Sequence, residues 1–256
     1  EKVTYKGKTY YFDTDGKMLT GWVTTTSDKK ENVNEATDFE DGHTFYCDET
    51  GARVEGAWVK DTEPGTDDDD ADADEYWYYL KKATGKPATG KQSNINGQIY
   101  LFNKYGQMQY GWVAEATDSD VKFLRLDEDD NEIAMEEATG KVYYCGDEDD
   151  GHAKKNKWFQ TWKPSEYDEA DEDNDQWWYY IDKNGKVYIP SDSNAAVGYK
   201  YGLGDATLEI KNSGNSYNIT KKKVNSKDYF FNENGEMLSQ FIEVTTGNGD
   251  LSRGMY

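Results

Sequence analysis

The chain has 256 residues and a formal charge of −22, and 15% of it is aromatic although only 35% is apolar. That aromatic content excludes an acidic disordered tail, no apolar run nears the roughly 20 residues of a membrane-crossing helix, and the charge opposes nucleic acid as a partner. Segments 61–75, 127–137, 147–150 and 166–175 hold 27 of the 51 acids and no Lys or Arg, so the remaining framework is close to neutral. These acidic segments read as solvated loop insertions.

From the N-terminus, KTYYFDTDGKMLTGW (8–22) opens a series of self-similar segments. TFYCDETGARVEGAW (44–58) and YWYYLKKATGKPATG (76–90) follow with small slips, and QIYLFNKYGQMQYGW (98–112) matches position for position. Further along come KVYYCGDEDDGHAKK (141–155), WWYYIDKNGKVYIP (177–190) and KDYFFNENGEMLSQF (227–241), with weaker copies at 122–135 and 208–219. Phe12 thus has equivalents at Cys47, Leu80, Phe102, Leu126, Cys145, Ile181, Ile210 and Phe231, and the closest steps are 19 to 24 residues. The longer steps carry the acidic insertions.

Each unit reads as a β-hairpin. Tyr10 and Phe12 share one face of a strand and Tyr11 takes the other. Asp or Asn then bonds back onto its own backbone while Gly supplies φ > 0, which predicts turns near Gly16, Gly51, Gly85, Gly106, Gly185 and Gly235. A short second strand, Lys17-Met18-Leu19, leads to Gly21-Trp22. One such hairpin cannot bury a face alone, so successive hairpins are expected to stack into an all-β solenoid of about nine units. The expected domains are a repeat array with acidic loop insertions over 1–190, an irregular or degenerate repeat over 191–223, and a terminal repeat with tail over 224–256.

The shared pattern (W)-Y-Y-F/L-D/N-x-x-G-x-M-x-x-G-W resembles the cell-wall-binding repeats of Gram-positive surface proteins, the family that includes choline-binding modules. Related repeats occur in clostridial toxin receptor-binding regions and in the glucan-binding regions of extracellular glucosyltransferases. The resemblance implies a superhelical stack of hairpins, a noncatalytic wall- or carbohydrate-directed role, and a bacterial protein that is secreted or held at the cell wall. Glu1 opens inside what reads as a repeat, so a signal peptide is expected to have been removed or to lie upstream.

Cys47 and Cys145 occupy the inward Phe12 position, 98 residues apart in a linear array. A bridge needs Cα atoms within about 7 Å, so two buried free thiols are expected rather than a disulfide. No catalytic set emerges: His43 and His152 sit in loops, and HExxH, CxxC, GxSxG and P-loop patterns are absent from the sequence. Neither a cofactor nor a metal site is expected. Asp67-Asp68-Asp69-Asp70 offers many oxygens to calcium but lacks EF-hand spacing, and turn chemistry explains Asp13-x-Asp15-Gly16.

In choline-binding relatives a quaternary ammonium sits in an aromatic cage between adjacent hairpins, drawn by the ring quadrupoles. By resemblance its walls would be the Trp before Tyr-Tyr, a neighbouring Tyr, and the Trp closing the previous hairpin. The residue before the aromatic pair is Thr9, Thr44, Trp77, Ile99, Val142, Trp178 and Asp228, so Trp is kept at two places. The candidate binding sites are therefore Trp58/Trp77/Tyr79 and Trp158 (or Trp162)/Trp178/Tyr180, against the plainer reading that these rings only pack hairpin on hairpin.

Two functions follow. The first is a noncatalytic extracellular module that binds cell-wall polysaccharide, a teichoic-acid-type polymer or another glycan, as a monomer without membrane insertion. The second is a stalk or adhesin spacer that presents acidic loops to a protein partner.

Overall fold

The structure, a computed structural model, describes residues 1–26, 33–66, 70–126, 138–164, 176–191, 195–203 and 210–256, with backbone alone for 138–139, 202–203 and 210–213. Segments 127–137 and 166–175, and Asp67-Asp68-Asp69 of the aspartate run, lie outside the described residues. The described chain is all-β, built of short antiparallel strands, and no α-helix occurs among its described residues.

The turns explain why. Asp13, Asp48, Asn103, Asp182 and Asn232 hold one place in five of them, and each side-chain Oδ1 accepts main-chain N–H groups two and four residues on. For Asp13 the donors are Asp15 at 2.9 Å and Lys17 at 2.8 Å. The glycine three residues after the Asp or Asn donates back to its carbonyl, at a φ of 78 to 84° that side-chain-bearing residues avoid. Asp13 Oδ1 is thus engaged by its own turn. The strands that flank these turns carry the repeat's aromatic positions.

The Phe12-equivalent position faces inward as expected: Cys47 is 1% exposed, and Leu80, Phe102, Cys145, Ile181 and Phe231 are all 0% exposed. Phe12 itself and Leu126 are half-buried, and the Ile210 side chain lies outside those described. Both cysteines are free thiols.

The chain divides into two compact units, the first comprising 1–125, 136–139 and 145–153, the second 126–135, 140–144 and 154–256. In the first unit four turn glycines rest on a residue of an earlier hairpin: Gly51 on Met18, Gly85 on Arg53, Gly106 on Pro87 and Gly151 on Met108. Tyr11, Leu19, Val23, Phe45 and Cys47 form one of its apolar clusters, with Tyr11 stacked on Phe45 at 5.5 Å.

In the second unit Gly235 lies against the Tyr188 carbonyl. Segment 191–223 supplies Ala196–Leu203 and most of the long strand Ile210–Val224, so the weak copy expected as a hairpin at 208–219 contributes to one continuous strand instead. These are the central strands of a six-stranded sheet, ordered Met237–Leu238, Lys227–Phe231, Ile210–Val224, Ala196–Leu203, Phe241–Thr246 and Gly254–Met255. Ile219, Leu238, Ile242, Val244 and Leu251 form the core beneath it.

Candidate functional site

Two hairpins carry the tryptophans singled out from the sequence. In the first unit Ala57–Asp61 pairs with Tyr76–Leu80, which sets Trp58 opposite Tyr79 and Lys60 opposite Trp77. In the second, Lys157–Thr161 pairs with Trp177–Ile181, which sets Trp158 opposite Tyr180 and Gln160 opposite Trp178. Directly opposed residues and those two apart share a sheet face, so each hairpin gathers two Trp and one Tyr on one side.

Trp58 is the hub of the first cluster. Its ring lies 5.2 Å from Tyr79, 6.4 Å and nearly perpendicular from Trp77, 4.8 Å from Tyr100, and 5.9 Å and stacked on Phe102. Tyr100 and Phe102 come from the next hairpin, Gln98–Phe102. Trp158 repeats the plan: Tyr180 lies at 5.2 Å, Tyr229 at 4.6 Å and Phe231 at 5.9 Å with an interplanar angle of 7°. Trp158, rather than the alternative Trp162, thus meets Tyr180.

The third expected wall differs between the clusters. Trp77 touches Trp58 and donates its indole N–H to Asp149 at 3.2 Å. Lys60 stands 6.0 Å from the Trp77 centroid and pairs with Glu148 at 3.0 Å and Asp149 at 3.8 Å. The acidic segment 147–150 is therefore exposed, as a solvated loop should be, yet it borders the aromatic cluster. Trp178 is 42% exposed and meets no ring among the described residues. Gln160 stands where the first cluster has Lys60, so that face lacks the ammonium.

Sequence reasoning missed Tyr100, Phe102, Tyr229 and Phe231, which supply the partner face of each hub. The signal was present, since all four belong to the aromatic strand of a later repeat. Burial, followed by the charge of Asp150, raises the Tyr100 phenol above its ordinary value, so the ring presents a neutral hydroxyl. Tyr188 packs edge-on to Phe231 at 4.9 Å under the Lys222 ammonium at 4.0 Å, and burial raises its phenol likewise.

Both aromatic clusters combine flat apolar faces with polar rims, an arrangement that can meet a sugar face or an organic cation. A family model described as "Putative cell wall binding repeat" matches residues 3–18 and 222–237. No curated protein matches the chain. Among solved structures, choline binding protein F from Streptococcus pneumoniae is 19% identical, with 92% of this chain and 85% of that chain covered and a TM-score of 0.27. CbpJ from Streptococcus pneumoniae TIGR4 is 16% identical, with 92% and 86% covered and a TM-score of 0.31. The pneumococcal cell wall endolysin from phage Cp-1, complexed with choline, is 15% identical, with 94% of this chain but 37% of that chain covered and a TM-score of 0.30.

The matched segments are informative in themselves. Each spans two paired strands and an Asx turn, and the second contains Tyr229 and Phe231, the rings that face Trp158. Residues 3–18 and 222–237 of the chain are thus similar to the putative cell wall binding repeat.

Proposed function

We propose that this chain is a noncatalytic module that holds a secreted protein at the bacterial cell surface by binding cell-wall polymer or another glycan. The ligand sites in this reading are Trp58, Trp77 and Tyr79 with Tyr100, and Trp158, Trp178 and Tyr180 with Tyr229. The observation that supports it is a recurrence: in each unit one tryptophan is set between the tyrosine of its own hairpin and the aromatic pair of a later one.

Titration of choline and of wall-derived oligosaccharides against wild type, Trp77→Ala and Trp178→Ala tests the reading. Losing one ring at a partly desolvated site should weaken binding about tenfold. Equal binding by both folded variants would remove these residues from the ligand site.

One observation favours the spacer as a second reading. The hub rings lie 4.6 to 5.2 Å from their tyrosines, whereas a cation held between two facing rings needs up to about 6 Å to each. A ligand must then use the outer faces of the clusters, or none.

A further inference from the structure

The second unit contains a cleft of about 380 Å³ lined by Trp177, Tyr217 and residues of the turn 232–236. Trp177 is next to Trp178 but points from the opposite face of their strand. That face turns toward the core of Ile219, Leu238 and Ile242, against which Trp177 packs.

A backbone irregularity shapes the cleft. Tyr199 pairs with Ser216 and Tyr201 with Asn212, so Ser213, Gly214 and Asn215 together stand opposite Lys200 alone. Gly214 adopts a φ of 81° with open space where a Cβ would be. Bulges of this kind re-aim neighbouring side chains, and Asn215 and Ser216 line the cleft directly after this one.

The charges in and around the cleft select among ligands. The ammonium groups of Lys200 and Lys163 lie 4.8 and 5.5 Å from the Trp177 centroid, so a further cation at that ring meets repulsion. Glu233 and Glu236 contribute carboxylates on the turn side, which opposes an anion. Glu236 is 3% exposed, and its Oε2 accepts from Asn232 Nδ2 at 2.5 Å. Glu233 Oε2 accepts from the Asn218 N–H at 3.0 Å.

What suits both sets of charges is a neutral molecule rich in hydroxyls. The amides of Asn215 and Asn234 and the Ser216 hydroxyl can each give and accept hydrogen bonds, while carboxylates accept from sugar hydroxyls. Trp177 and Tyr217 offer ring surface to C–H faces. We infer that this cleft is a neutral-saccharide subsite, sized at the small end of ligand pockets for one or two pyranose rings, and separate from the aromatic clusters. It takes its ligand class from the proposed glycan-binding function but uses none of that proposal's residues.

The test is a titration of the ¹⁵N-labelled full chain with N,N′-diacetylchitobiose, with maltose and, separately, with choline chloride. At least one disaccharide should shift the Asn215 and Asn234 side-chain amide signals saturably, and choline should leave them in place. Combining Asn215→Ala with Asn234→Ala should weaken that binding about tenfold, whereas Trp77→Ala and Trp178→Ala should not change it. Both asparagines are exposed, so an unchanged melting temperature is expected. Should the double variant be destabilised, Asn234→Ala alone carries the same comparison. Unmoved amide signals with both disaccharides, or movement with choline alone, overturns the subsite while leaving the aromatic-site reading to its own variants. Saccharide binding at the cleft with undiminished wall binding by Trp77→Ala and Trp178→Ala keeps the subsite and removes the aromatic sites.

Discussion

The thioether of Met18 lies so close over Gly51 that no Cβ fits between them, and Met108 stands in the same relation to Gly151. Gly16 supplies the natural control, because it shares the φ of 79° with Gly51 but has nothing within 4 Å of its missing Cβ. Gly16→Ala should therefore cost only the left-handed backbone penalty, about 1–2 kcal/mol. Gly51→Ala adds overpacking against Met18, for about 2–4 kcal/mol in total. Urea unfolding of the two variants measures the seam by difference, and equal losses would show that Met18 simply swings away.

Burial, then the charge of Asp48, pushes the Cys47 thiol up to about 12. Thiolate is the reactive form, so the native protein should resist iodoacetamide at pH 8 and be alkylated at Cys47 only after unfolding. The linkage has a definite sign: the unfolded thiol ionises first, near pH 8.5. Stability from this group is full below that pH and falls as pH climbs toward 12. Rapid labelling of native Cys47, detected by mass spectrometry, would contradict the packing described.

Asp48 accepts from Thr50 N–H at 2.9 Å, Thr50 Oγ1 at 2.6 Å and Ala52 N–H at 3.0 Å. The Thr50 hydroxyl first, and the main-chain donors after it, hold its carboxyl below the usual value. Its stabilising effect is present above the unfolded pKa, about 3.9, and is lost as pH falls through the lower folded value. Asp48→Asn keeps the acceptor oxygen and should be nearly neutral, whereas Asp48→Ala should cost about 1 kcal/mol. Thermal melts at pH 7 and pH 3 separate the two, since the Asn variant should lose the acid sensitivity of this turn.

Trp58 and Trp178 should respond in opposite ways. Trp58→Ala removes a ring that touches Trp77, Tyr79, Tyr100 and Phe102, and should cost about 2–4 kcal/mol of stability. Trp178→Ala removes a half-exposed ring and should change stability by less than about 0.5 kcal/mol. Denaturation midpoints check both. Any loss of ligand binding in Trp178→Ala can then be read as loss of contact rather than of fold.

What could be read from the residues was local. Asp13, Asp48, Asn103, Asp182 and Asn232 act on donors within four positions, so their turns are legible from composition and spacing alone. The inward marker position was legible too, because it recurs in each copy. Ring partnership was not. Trp77 and Trp178 both precede Tyr-Tyr, yet what each meets depends on distant residues: Trp58, Lys60 and Asp149 around one, Gln160 opposite the other. The strand Ile210–Val224 stayed hidden because Lys, Asn and Gly214 break the alternation by which a half-buried strand is recognised.

Thr25 pairs with Val33 at the end of the antiparallel strands Gly21–Thr25 and Val33–Glu35. The chain thus returns to the sheet at the place where it left, and the seam between Met18 and Gly51 does not register how many residues lie between. Doubling a closed loop of this kind costs only about 0.6 kcal/mol. The framework is therefore a natural display scaffold: foreign peptides grafted between Thr25 and Val33 should alter what the surface offers while the hairpins beneath keep their register.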